Sequence, residues 1–249
     1  MFDAAKTKED VIQWICDYFK NNGPDCNAVI GISGGKDSSI VAALCEKALG
    51  KDRVFGVLMP QGEQHDINFS KDLVDHLGIK HLEINIKDSV DSLLSKITQS
   101  GLSVNRQAQV NTPARIRMTT LYAVSAILNG RVANTCNLSE DWVGYSTKYG
   151  DSAGDFSPLA NLTVTEVRLL GKELALPVKF IEKTPEDGLS GLSDEDNLGF
   201  TYAVLDKYIR ESICEDIDIM AKIDKLHQTN LHKLSLIPSF KPNCNLSKV

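Results

Sequence analysis

Ala28-Val29-Ile30-Gly31-Ile32, Ser33-Gly34-Gly35-Lys36-Asp37-Ser38 and Ser39-Ile40-Val41-Ala42-Ala43-Leu44 follow one another without a break. The first five residues form a bounded apolar run of the length of a buried strand. The next six bring two glycines, a lysine, a carboxylate and two hydroxyls. The last six open a helix. A strand, a glycine turn and a helix start together make an anion cradle. Glycine lets the backbone come close to a phosphate, and the helix N-terminus offers free N–H groups and the positive end of its dipole.

The same alternation continues outward. Val54–Met59, ended by Pro60, reads as a second strand, His81–Ile86 as a third and Arg131–Thr135 as a fourth. Val178–Ile181 reads as a short fifth. Between them run helical patterns. Val11, Ile12, Ile15 and Phe19 mark a helix stopped by Asn22-Gly23-Pro24; Asp66 caps another that turns Leu73, Val74 and Leu77 inward and stops at Gly78. Val90, Leu93, Leu94 and Ile97 mark the next. Thr112-Pro113 reads as an N-cap with proline at the first position of a helix that runs to Leu128. Thr163 and Glu166 have capping-box spacing ahead of a helix ending near Leu176-Pro177. Tyr202, Leu205, Tyr208 and Ile209 share a face of a C-terminal helix.

This pattern predicts an α/β fold: a doubly wound, Rossmann-like parallel sheet of about five strands with helices on both faces. Right-handed crossovers place the strand C-terminal ends on one rim. A ligand of such a sheet sits there, at the switch point in strand order. The loops after Ile32, Pro60 and Thr135 are therefore expected to face one another. Residues 1–249 read as one domain. Residues 183–200, rich in Gly, Asp and Ser, read either as a mobile segment over the site or as a plain surface linker.

The chain has 249 residues, 42% hydrophobic and 24% charged, with a net charge of −6. That suits one α/β core and argues against nucleic acid as a partner. A negatively charged ligand would need local cations, and Lys36, Arg115, Arg117, Lys148 and Lys233 are the candidates. Six cysteines form no C-x-x-C pair. Free thiols in a reducing compartment are expected, hence a cytoplasmic location. The N-terminus shows no signal pattern, and no apolar stretch approaches the ~20 residues of a membrane span. The histidines lack zinc-ligand spacing.

Asp37 separates Lys36 from Ser38, so this is not the common P-loop, which needs Gly-Lys followed at once by Ser or Thr. The pattern Ser-Gly-Gly-x-Asp-Ser resembles the pyrophosphate-binding loop of the ATP pyrophosphatases, a family of adenylating enzymes. A carboxylate inside a phosphate loop calls for a cation between the two. Glu140 lies just past the fourth strand on the same expected rim, and Asp37 with Glu140 makes a plausible Mg²⁺ pair. Taken alone, Asp37 could merely compensate the helix dipole and Glu140 could be a solvated loop acid.

Further segments narrow the resemblance to the ammonia-dependent NAD⁺ synthetases, over nearly the whole chain. Asn111-Thr-Pro-Ala-Arg115-Ile-Arg117-Met118 resembles the family's Asn-x-x-Ala-Arg-x-Arg-Met. Thr135-Cys-Asn-Leu-Ser-Glu140 resembles Thr-x-Asn-x-Ser-Glu. Thr147-Lys148-Tyr149-Gly150-Asp151, followed by Asp155 and Pro158-Leu159, is similar to its Thr-Lys-Tyr-Gly-Asp stretch. Asp194-Glu195, Leu198-Gly199 and Tyr202, and then His232-Lys233, complete the series.

The resemblance implies ATP-dependent amidation of deamido-NAD⁺ to NAD⁺ with ammonia, the final step of NAD biosynthesis. Nicotinate is first adenylated and pyrophosphate leaves; ammonia then displaces AMP. It implies that Gly31, Ile32, Ser33, Gly34, Gly35, Lys36, Asp37, Ser38 and Thr135 bind ATP. Asp37 and Glu140 would hold Mg²⁺. Arg115, Lys148, Asp155, His232 and Lys233 would contact deamido-NAD⁺. Asp151 is a candidate to orient or deprotonate the incoming ammonium, or else it simply caps a turn after Gly150. Lys148 and Asp151 are the candidates nearest the chemistry. The resemblance also implies a homodimer with the dinucleotide near the subunit interface. No nitrilase-like glutaminase domain is expected in a chain of this length, so ammonia arrives free or from a separate protein.

Two positions depart from the family. Val164 stands where many relatives have an ATP-binding lysine, and Glu186 where they often have Ser or Thr. A tRNA-modifying adenylase shares the loop but calls for a basic face. A nucleotide sensor would leave the later motifs unexplained.

Overall fold

The computed structural model describes residues 2–182 and 193–240. The chain opens with α1 (Ala4–Asn22), capped by Asp3, whose carboxylate accepts from the Lys6 N–H; it turns Ile15 and Phe19 inward. Then come β1 (Asn27–Gly31), α2 (Lys36–Leu49), β2 (Val54–Leu58), α3 (Ile67–Leu77), β3 (Lys80–Glu83), α4 (Lys87–Gln99), α5 (Arg106–Ile127) and β4 (Gly130–Val132). The four strands form one parallel sheet in the order β3-β2-β1-β4. Ala28 pairs with Val54 on one side and Arg131 on the other. The chain leaves β1 toward β2 and β3, then returns to β4 on the opposite side. That reversal is the switch point, and it lies at the C-terminal end of β1.

Alternation along β1 fills two cores. Ala28 and Ile30 join Ile40, Leu44, Leu73 and Leu170 on one face. Val29 joins Val57, Val90, Leu121 and Val132 on the other. A third apolar cluster contains no strand residue. It draws on α6 (Leu138–Val143), α7 (Val164–Glu173), α8 (Asp194–Leu198), α9 (Tyr202–Glu211) and α10 (Ile217–Leu234), and holds Val143, Val164, Leu198, Tyr202, Leu205 and Ile223. The capping box at Thr163 and Glu166 forms as expected.

Several expectations need correction. The sheet has four strands rather than five: Val178–Phe180 is a short 3-10 helix. Phe180 N–H donates to the Pro177 carbonyl at 2.9 Å, so Phe180 and Ile181 are buried by coiling rather than by pairing, while Val178 stays exposed. α5 begins at Arg106, not at Pro113, because the Asn105 side chain accepts from the Ala108 N–H and caps it there. Pro113 lies inside the helix and buried, where it offers no N–H to the Gln109 carbonyl. Asp66 occupies the N-cap position of α3 without a side-chain capping bond; its carboxylate accepts from Gln64 Nε2 at 2.8 Å. Of the polar segment 183–200, residues 183–192 lie outside the described residues. Residues 193–200 contain α8, capped by Ser193, and bury Leu198 and Phe200. Among the described residues, no helix is long and apolar enough to cross a membrane.

Candidate active site

β1 delivers the chain to the cradle. Its ladder ends with Ile32 N–H on the Val57 carbonyl at 2.9 Å. Gly34 then takes φ 76°, and a Cβ there would meet Phe69 Cβ at 3.0 Å and Ser70 N at 3.1 Å, so the turn needs glycine. Ser33 Oγ accepts from Gly35 N–H at 3.2 Å and lies 3.0 Å from Ser38 Oγ. α2 starts with Gly35 at its N-cap and no side-chain cap. Its first-turn N–H groups are therefore left for an anion.

Lys36 is buried at the mouth of this turn, with 2% exposure. Its Nζ lies 2.7 Å from Asp37 Oδ2 and 3.6 Å from Glu140 Oε1, and 6.0 Å from the centre of the Tyr202 ring. Burial disfavours the ammonium, but Asp37 and Glu140 outweigh it and hold Lys36 charged. Burial, with Asp37 beside it, pushes the Glu140 carboxyl up to about 8. Asn137 joins the two carboxylate carriers: its Nδ2 donates to Asp37 Oδ1, and its Oδ1 accepts the Glu140 N–H as the cap of α6. The Tyr202 hydroxyl donates to Asp194 Oδ2 at 3.3 Å. Burial raises the Asp194 carboxyl, against the pull of Tyr145, Tyr202 and Lys36.

Asp37 and Glu140 thus converge on one point with hard oxygen donors. No cluster of three or more His, Cys, Asp or Glu able to hold a metal exists among the described residues. Two carboxylates beside a phosphate cradle fit Mg²⁺, which keeps several waters and takes substrate phosphates as its other ligands.

The residues expected around the dinucleotide gather at a turn below α10. Arg115 Nε donates to the Lys148 carbonyl at 3.3 Å, and Lys148 Nζ donates to the His232 carbonyl. Lys233 Nζ reaches the Gly144 carbonyl at 2.6 Å and that of Ser146 at 3.0 Å. Burial lowers the Lys233 ammonium, with Asp151 acting in the opposite sense. Asp151 Oδ1 accepts from the Thr147 N–H at 3.0 Å and closes the turn; crowding by the surrounding protein raises its carboxyl. Asp155 is anchored elsewhere: Oδ2 accepts from the Val132 N–H at 2.7 Å and Oδ1 from the Tyr122 hydroxyl at 3.2 Å. Asp155 and Lys233 line one cleft, together with Asn134, Asp141 and Phe156. Thr135 follows β4 on the same rim as the cradle. Arg117 Nε donates to the Met59 carbonyl at 3.1 Å, holding α5 against the end of β2. Val164 is fully buried in the third apolar cluster.

Asn137 and the Tyr202 ring also belong to the site, each inside a motif segment that gave neither of them a role. The cap spacing of Asn137 ahead of Glu140 was the available signal.

This geometry can seat a polyphosphate and one divalent cation beside a buried lysine. The family model described as NAD synthase matches residues 7–242. The chain belongs to the NAD synthase family. An NH3-dependent NAD(+) synthetase of Pyrococcus furiosus is 37% identical, across 92% of this chain and 93% of its own. Among solved structures, the NMN synthetase of Francisella tularensis superposes with a TM-score of 0.88 at 32% identity, covering 98% of this chain and 100% of its own. The NH3-dependent NAD synthetase of Campylobacter jejuni gives 0.78 at 31%, covering 97% and 100%.

Proposed function

We propose that this NAD synthase family member converts deamido-NAD⁺ to NAD⁺ with ATP and ammonia, as a C–N ligase at the last step of NAD biosynthesis. The observation that carries the reading is the convergence of Lys36, Asp37 and Glu140 on one uncapped helix start, at the switch point of the sheet.

A carboxylate is a poor electrophile. Its oxygen attacks the α-phosphorus of ATP, the bond to the bridging oxygen breaks, and pyrophosphate leaves. Residues Gly31 to Ser38, with Thr135, hold the nucleotide. The Lys36 ammonium and the first N–H groups of α2 stabilise charge on the departing diphosphate. Asp37 and Glu140 would hold Mg²⁺, which when bound would offset phosphate charge. Arg115, Lys148, Asp155, His232 and Lys233 position deamido-NAD⁺; Arg115, Lys148 and Lys233 would exchange carbonyl partners for the ligand. Ammonium first loses a proton, for which Asp151 is the proposed acceptor. Ammonia then attacks the acyl carbon, AMP leaves with the electron pair of the broken acyl–oxygen bond, and the new amide nitrogen releases one proton to water. The nitrogen donor is ammonia, free or delivered by a separate protein, and the same reading includes a homodimer acting in the cytoplasm.

The test is direct. Purified protein with deamido-NAD⁺, ATP, Mg²⁺ and ammonium should yield NAD⁺, AMP and pyrophosphate in equal amounts. Glutamine in place of ammonium should yield none. Absence of NAD⁺ from protein that still binds ATP overturns the reading.

The high TM-score to the Francisella NMN synthetase favours a second reading. Nicotinate mononucleotide presents the same carboxylate without the adenylate half, so the same activation would give its amide. Measuring kcat/KM for both acids separates the two readings. A preference for the mononucleotide would move the assignment one step earlier.

A further inference from the structure

Arg168 is a cation that the proposed reaction leaves unused. It lies on α7 one turn beyond Val164, whose side chain is sealed in the third apolar cluster. The first turn of α7 therefore carries no positive charge toward the cradle. Gly171 of α7 packs against Ile40 of α2, where a Cβ would meet Ile40 Cδ1 at 2.9 Å. About a turn earlier on each helix stand Arg168 and Lys36, and the guanidinium's charge acts against the Lys36 ammonium.

The Arg168 Nε is buried and has no hydrogen-bond partner. Among the described residues its guanidinium makes no ion pair. Lys36 has Asp37 and Glu140 to balance it; among the described residues Arg168 has no such anion. A guanidinium is a planar fork of five donors that matches phosphate oxygens. An arginine whose charge is felt at a phosphate cradle, with a buried donor unused, is suited to an anion that arrives with the ligand.

We propose that Arg168 binds a phosphate oxygen of ATP and of the pyrophosphate that leaves, supplying the charge that Val164 does not. This assignment rests on the reading that residues 33–38 hold ATP.

Arg168→Gln and Arg168→Lys test it by equilibrium titration with a non-hydrolysable ATP analogue and with pyrophosphate. Both dissociation constants should rise about tenfold or more in the Gln variant, as expected for loss of a charged contact, and recover partly in the Lys variant. KM for deamido-NAD⁺ and the ligand-free melting temperature should stay near wild type. Should Arg168→Gln not fold, the Lys variant alone decides: weaker binding of both anions, with an unchanged melting temperature, supports the assignment. Affinities within twofold of wild type in a folded variant overturn it. Wild-type protein that binds the analogue but makes no NAD⁺ would fail the functional reading while leaving the Arg168 assignment standing.

Discussion

Asn137 Nδ2 donates to Asp37 Oδ1 at 3.1 Å, fixing the start of α6 to the start of α2. The same amide caps the helix that carries Glu140. Spacing between the two carboxylates is thus set by one side chain. Asp37→Asn should lower kcat by about 10²-fold or more while the protein stays folded, since a preorganised charge at the reacting phosphates is lost. Chelation of divalent cations should stop turnover without moving the ligand-free melting temperature. Asn137→Ala should raise the Mg²⁺ concentration needed for half-maximal rate and cost about 1 kcal/mol of stability through the lost cap. Near-normal turnover of Asp37→Asn would remove the metal assignment.

Lys148 bridges the turn at residues 147–151 to the end of α10 through the His232 carbonyl. Lys148→Ala should raise KM for deamido-NAD⁺ by about tenfold, the loss of one charged contact, and leave KM for ATP near wild type. Steady-state kinetics with each substrate varied in turn will show it. An unchanged KM and kcat for deamido-NAD⁺ would reject a substrate role.

Asp155 holds the Val132 N–H of β4 and the Tyr122 hydroxyl of α5. Removing its carboxylate frees both donors, so Asp155→Ala should destabilise the fold by about 1 kcal/mol. Chemical denaturation measures that loss independently of activity. If stability is unchanged and only KM for deamido-NAD⁺ rises, Asp155 serves the ligand rather than the sheet.

Burial, helped by Asp155, pushes the Tyr122 phenol from 10.0 up to about 12. The folded chain therefore holds this proton more tightly than the unfolded chain does. The resulting stability is complete below pH 10 and is lost as pH rises from there toward 12. Melting curves across that window should fall more steeply for wild type than for Tyr122→Phe. Parallel curves would show that the phenol contributes nothing.

Much of the fold was legible because its signals are local. The apolar run before Ser33, the two glycines and the helix start after Lys36 need no distant partner to be read. The Thr163–Glu166 cap is equally local. Val178–Ile181 misled because a short apolar run can bury itself by coiling as well as by pairing, and only the sheet edge decides. Pro113 misled because a buried proline can be carried inside a helix that Asn105 has already started. At the site, residue identities were readable but their partners were not. Nothing in sequence spacing says that Tyr202 lies under the Lys36 ammonium, or that the Arg168 charge reaches it. Those approaches depend on how α7 and α9 pack against α2. Asp151 closes the turn that follows Thr147, as one of its two readings had it.

The third apolar cluster draws on no strand, yet it supplies the Tyr202 ring beside Lys36, and one of its helices, α6, carries Glu140. The helical annex is therefore coupled to the chemistry without being part of the scaffold that anchors it. Warming that loosens the annex first would misplace the lysine while the parallel ladder still stood, so turnover should fail at a lower temperature than secondary structure does.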